Sequence, residues 1–210
     1  MNSFSVIDEA TWERAVHCNV FRDYLEPFHC TVFEVDITNY KDKVKELGLS
    51  FTLAMVHAMC SCANSIENFR YRFLDGEVVL FDEIDTAFAY LNKETQIFKV
   101  VNVPLKRDLV EYCSLAKETA EEQKEYFTGP LGTDIFMCSP IPWITFTQKT
   151  HTISGKKDSA TPNLDWGKYY EKDGRYYMPI SVSAHHSFVD GYHVGLFAEK
   201  LQEYLHCILQ

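Results

Sequence analysis

The chain has 210 residues, enough to bury a sizeable core, and its 20 Lys+Arg against 30 Asp+Glu leave a formal charge of −10. An acidic chain is a poor partner for a phosphate backbone, and it lacks both a basic amphipathic stretch and any apolar run near the ~18 residues of a membrane span, so neither nucleic acid nor membrane is expected as a partner. Seven cysteines in no even framework, behind an N-terminus whose acids do not suit a signal peptide, read as reduced thiols in the cytoplasm.

The first clear element is Phe28–Ile37, whose alternation and β-branched residues predict a strand. Thr38–Asn39 then reads as a cap for a short helix, Tyr40–Leu47, ended by Gly48. Ser50 is expected to cap a longer apolar helix from Phe51 to about Ser65, in which Cys60 and Cys62 are small buried side chains. Asp75–Gly76 between Tyr71–Leu74 and Glu77–Phe81 signals a hairpin. Strands follow at Thr86–Leu91 and Gln96–Val101, and Pro104 precedes a charged helix from Leu105 to about Phe127. Ile135–Ser139 and Trp143–Thr147 read as apolar strands separated by Pro140 and Pro142, and Ser154–Asn163 as a surface loop. Leu164–Glu171 and Arg175–Ala184 are strands around Lys172–Asp173–Gly174. From Gly191 to about Leu209, Val194, Phe197, Leu201, Leu205 and Ile208 fall at helical spacing. No linker or repeat divides the chain, so residues 1–210 read as one domain. Strands and helices alternate irregularly, with hairpins among them, which argues for a mixed sheet with helices packed on it.

The strongest local signal is the run from Ala184 to His193, Ala-His-His-Ser-Phe-Val-Asp-Gly-Tyr-His, where a long apolar strand meets a helix. Adjacent strand residues point to opposite faces, so one of His185 and His186 can face the core and the other a cleft. A neutral imidazole at a strand end suits a general base near neutral pH. Two other readings stand beside it: hydrogen-bonded interior histidines followed by an ordinary Asp-Gly turn, and a metal site from His185, His186 and His193. The metal reading is the weaker, since adjacent strand residues diverge and no familiar ligand spacing is present.

The motif His185-His186-x-x-x-Asp190-Gly191-x-His193-Val194-Gly195 closely resembles the C-terminal signature of the type A chloramphenicol acetyltransferases. Its His-x-x-x-Asp-Gly core is also similar to that of the acyltransferase cores of 2-oxo acid dehydrogenase complexes and of peptide-synthesis condensation domains. The resemblance extends to Trp12-Glu13-Arg14 with His17, Val35-Asp36-Ile37-Thr38, Asn92-Lys93-Glu94-Thr95, Ser139-Pro140-Ile141-Pro142-Trp143 and Gly167-Lys168-Tyr169. It implies an α/β fold of the α+β two-layer sandwich type, a mixed, mostly antiparallel sheet with helices packed on one face. It implies an acyltransferase that moves an acetyl group from acetyl-CoA, a co-substrate, to a hydroxyl of chloramphenicol, inactivating the antibiotic, with no permanently bound cofactor and no metal. His186 would be the general base and Ser139 the oxyanion donor. Asp190 and Arg14 would pair to fix the architecture around the base, and Lys168 and Tyr169 would contact coenzyme A. The family is a homotrimer with active sites at subunit interfaces, so His186 would face an acceptor pocket built largely by a neighbour, the Trp12–Cys30 region with Phe21 matching part of it.

The departures from the family's pattern concern the acceptor. Asp165 stands where the family commonly has a small hydroxyl residue, and an ionised carboxylate near a developing oxyanion would raise the barrier. It must therefore point away, be protonated, or mark a different oxyanion site. Thr52 replaces a coenzyme-stacking tyrosine, and His29, Lys149 and His151 fall near positions that are often apolar or aromatic. These residues motivate an alternative in which another small hydroxylated molecule is the acceptor. A non-catalytic ligand-binding relative is the remaining alternative.

Overall fold

The computed structural model describes residues 1–128, 132–152 and 159–207. Two sheets carry the architecture. The larger has strand order β2-β10-β8-β7-β5-β6, with β9 (Tyr170–Lys172) paired to β10. Its members are β2 (Phe28–Asp36), β5 (Asp85–Leu91), β6 (Phe98–Val103), β7 (Ile135–Cys138), β8 (Asn163–Trp166) and β10 (Arg175–His185). β10 pairs antiparallel with β2, β8 and β9, and β5 does so with β6, whereas β7 is parallel to β5 and β8. This is the expected mixed, mostly antiparallel sheet. The smaller sheet, β1-β4-β3, joins β1 (Phe4–Val6) to the hairpin of β3 (Tyr71–Leu74) and β4 (Glu77–Phe81). That hairpin has the predicted bounds because Asp75 (φ 51°) and Gly76 (φ 85°) both adopt the left-handed conformation that a tight two-residue turn requires.

Helices α2 (Thr38–Glu46), α3 (Phe51–Asn64), α4 (Leu109–Glu122) and α5 (Gly191–Cys207) pack on the larger sheet and on one another. α3 is the centre of this layer. Ten of its residues are buried, Cys60 and Cys62 among them, because it lies against α4, α5 and β5 at once. Buried hydroxyls find partners: Tyr40 donates to the Ala54 carbonyl at 2.7 Å, and Tyr112 meets Thr86 Oγ1 at 2.7 Å. None of the seven cysteines is in a disulfide. No helix among the described residues is long and apolar enough to cross a membrane.

Several local expectations are corrected. Trp143–Thr147 is not a strand: Trp143 and Ile144 are exposed, and the flanking Pro140 and Pro142 have no N–H to give a ladder. Leu164–Glu171 is two strands, interrupted at Gly167. The helix expected from Leu105 begins at Leu109, where Asp108 caps it by accepting from the Glu111 N–H at 2.8 Å. Ser50 makes no side-chain cap. α2 begins at Thr38 itself, and Asp36 accepts both the Thr38 N–H and its hydroxyl. The helix α1 (Ala15–Arg22) and strand β1 are additions to the expected set. Of the predicted Ser154–Asn163 loop, 154–158 lie outside the described residues, as does Ile208.

Candidate active site

β10 ends at His185, and the chain then turns through Ser187–Asp190 into α5. The two histidines diverge as strand alternation requires. His185 is buried, its ring edge-on to Phe28 and Phe73. Ser187 N–H donates to its Nδ1 at 3.2 Å. Burial, reinforced by the neighbouring His186, pushes the His185 pKa down to about 4. His186 is half-buried on the other side, stacked on Phe21 at 4.1 Å between centroids and tilted against His29 at 4.8 Å. Its Nδ1 has no hydrogen-bond partner among the described residues. His29 donates from Nε2 to the Val189 carbonyl at 3.1 Å, and burial lowers its pKa.

The main chain carrying His186 is held from three directions. Its N–H donates to the Pro27 carbonyl at 2.9 Å. Arg14, at the N-cap position of α1, donates to the His186 carbonyl at 3.2 Å, to the Ser187 carbonyl at 2.8 Å and to Asp190 Oδ2 at 3.0 Å. Burial alone would raise the Asp190 carboxyl, but the Arg14 hydrogen bond and the charges of His193 and Arg14 outweigh it and hold it below its ordinary value. Asp190 also accepts from the Tyr192 N–H at 3.1 Å, which caps the start of α5. Asn68, which no sequence motif singles out, donates to the Phe188 carbonyl at 2.9 Å. Arg14 is therefore not a solvated helix residue: one guanidinium fixes the backbone on which the base candidate rides.

Ser139 lies just beyond β7 and is not beside His186 in this chain. Its N–H is bound by Asp165, which pairs in register with Ser181 of β10. His186 is five residues further along, roughly 16 Å at strand spacing. Asp165 is fully buried and accepts from the Ser139 N–H, from Lys149 Nζ at 2.8 Å and from His151 Nε2. Phe21 and His29 stand with His186, while Lys149 and His151 stand with Ser139. Lys168 and Tyr169 are exposed in the break between β8 and β9, with Tyr169 edge-on to Phe51 at 5.9 Å, next to Thr52 on α3. His193 sits on Asp190 at 2.9 Å, and among the described residues no three His, Cys, Asp or Glu side chains cluster as a metal site would require.

His185 yields a stability prediction. Its pKa is depressed below the ordinary 6.5, so on acidification the unfolded chain takes up the proton first. The stability it contributes is full above about pH 6.5 and is lost as pH falls toward 4. Urea unfolding should show a loss of about 2–3 kcal/mol from this group between about pH 7.5 and pH 4.5. A His185→Phe variant is expected to flatten that slope, and an unchanged slope would contradict it.

Comparison with known proteins gives a consistent result. A family model described as chloramphenicol acetyltransferase matches residues 1–202. Chloramphenicol acetyltransferase 3 of Escherichia coli is 25% identical over 205 residues, which are 96% of this chain and 96% of that protein. A solved chloramphenicol acetyltransferase structure superposes with a TM-score of 0.87 at 29% identity, covering 97% of this chain and 100% of the other. The cubic core of a pyruvate dehydrogenase complex shares the fold, with a TM-score of 0.65 at 18% identity over 92% of this chain and 87% of that one.

Proposed function

Because this chain belongs to the chloramphenicol acetyltransferase family, we infer that it transfers an acetyl group from acetyl-CoA to a hydroxyl of chloramphenicol, with His186 as general base. The observation that carries this reading is the presentation of His186: half-buried at a strand end, on a backbone clamped by Arg14, with an aromatic wall at 4.1 Å. His186 takes the hydroxyl proton as that oxygen attacks the thioester carbon. The C–O bond forms, the carbonyl oxygen becomes an oxyanion, and the Ser139 hydroxyl donates to it. The intermediate collapses with cleavage of the C–S bond, and His186 returns the proton to the thiolate. Lys168 and Tyr169, exposed beside Phe51, suit a phosphate and an adenine ring of the coenzyme.

The separation of His186 from Ser139 supports a site completed between copies, the homotrimer that the family resemblance implies. Val16, Val20, Tyr24 and Leu25 are exposed apolar side chains on the segment next to His186, the kind of surface a neighbouring chain covers. His186 with Phe21 and His29 would then come from one chain and Ser139 from the next.

The test is thiol release from acetyl-CoA in the presence of chloramphenicol. Turnover well above a His186→Ala control is expected, and turnover at the control's level would overturn the reading. A second reading keeps the chemistry and changes the acceptor, favoured by the polar side chains of Lys149, His151 and Asp165 around Ser139. In a panel of small alcohols chloramphenicol should give the highest kcat/KM, and a better alcohol would transfer the assignment to it.

A further inference from the structure

Ser139 sits in a closed ring of polar contacts. Its N–H donates to Asp165 Oδ1. Its carbonyl accepts from Lys149 Nζ at 2.8 Å. The same Nζ pairs with Asp165 Oδ2 at 2.8 Å, so two side chains close on one residue's main chain from both sides. Asp165 is fully buried and Lys149 is only 10% exposed. His151 Nε2 also reaches Asp165 Oδ2 and covers it. β7 has already ended at Cys138, and Pro140 has no N–H, so the ring binds Ser139 where the sheet's own ladder stops.

An oxyanion donor is effective only if its hydroxyl is already aimed, and aim depends on the backbone that bears it. We propose that Asp165 and Lys149 are positioning residues that fix the Ser139 backbone and so aim its hydroxyl at the developing oxyanion. The proposal rests on the reading of Ser139 as oxyanion donor. It also accounts for a carboxylate so close to a site that must hold negative charge. A bare Asp165 would repel the oxyanion, whereas with Lys149 against it the pair is neutral as a unit. The two charges thus act through Ser139 rather than on the substrate.

The experiment is a double-mutant cycle on kcat with acetyl-CoA and chloramphenicol, using Ser139→Ala, Asp165→Asn and the combination. Ser139→Ala is expected to lower kcat about 100–1000-fold. Asp165→Asn should lower kcat about tenfold or more while KM for either substrate stays within about threefold. In the Ser139→Ala background the same change should cost less than about threefold, since a group acting through the hydroxyl has nothing left to aim. A general structural support would multiply through in both backgrounds. Equal losses in the two backgrounds, or a loss under about threefold when Ser139 is present, overturn the proposal alone. A loss under about tenfold for Ser139→Ala overturns the role of Ser139 itself, and the positioning role with it. Should the unpaired lysine left by Asp165→Asn prevent folding, Lys149→Met with Asp165→Val removes both charges together. That variant is expected to fold and to show the same loss with Ser139 present and the same insensitivity without it, and the opposite pattern overturns the proposal.

Discussion

Replacing His186 with alanine is expected to lower kcat about 10²–10⁴-fold, the range for loss of a positioned general base. KM for acetyl-CoA should stay within about threefold, because the role proposed for the imidazole is in the chemical step rather than in binding the coenzyme. The fold should survive. The contacts that hold this point of the chain are made by main-chain atoms: the His186 N–H to Pro27, and the His186 and Ser187 carbonyls to Arg14. None depends on the ring, which is half-buried and, among the described residues, takes part only in the stacking on Phe21 and the tilted contact with His29. The two buried histidines are not placed to substitute. His57 is buried with both ring nitrogens engaged, by Tyr204 at 2.9 Å and the Lys106 carbonyl at 2.8 Å. His185 is turned into the core. Thiol release measures the effect, and a loss of less than tenfold with an unchanged melting temperature would remove His186 from the base role.

Arg72→Met is expected to destabilise the protein by roughly 3–5 kcal/mol with the site itself untouched. Arg72 is 1% exposed, and its guanidinium donates to four backbone carbonyls, those of Phe69, Tyr71, Thr133 and Ile135. These lie in three segments: the 3-10 turn Glu67–Phe69, β3, and the approach to β7. One side chain therefore ties the small sheet to the large one. Desolvation pushes the guanidinium pKa down to about 9, so it remains charged at neutral pH. Methionine keeps much of the apolar stem and relieves that desolvation, but it leaves four carbonyls, three of them in buried contacts, without this donor, and the second effect is the larger. A chain of this length should lose roughly 6–20 °C of melting temperature, read by circular dichroism. Turnover per folded molecule at low temperature should match the parent, and a melting temperature within 2 °C of the parent's would show the clamp to be dispensable.

The elements legible in the sequence are those whose signals are local. The β3–β4 hairpin is readable because Asp75–Gly76 dictates a turn geometry, and α3 because fourteen residues of apolar pattern outweigh any single propensity. α1 has eight residues and buries only Cys18, and the three residues of β1 are all exposed, so neither carries a periodicity to detect. Trp143–Thr147 misleads because its apolar side chains suggest a strand while the backbone has no ladder to join. The site divides in the same way. His186, Asp190 and Arg14 are readable through the ordered motifs of a resemblance. Asn68 and the contacts of Asp165 with Lys149 and Ser139 are not. They join residues 120, 16 and 26 positions apart, and pairs so distant in sequence have no signature in a single chain.

Gly167 has a consequence for how this protein can change. A methyl group there would lie 2.9 Å from carbons of Phe146 and Pro179, so the position accepts no added volume. Its N–H is tied to the Pro179 carbonyl at 3.0 Å, and from that fixed point the chain leaves the sheet and rejoins it at Tyr170. Lys168 and Tyr169 ride on the excursion, their side chains outside the packed interior. The path of the backbone is thus set from within, independently of the groups it displays. Substitutions at positions 168 and 169 can therefore alter the coenzyme contacts proposed for this corner while the sheet stays undisturbed, whereas position 167 must stay glycine.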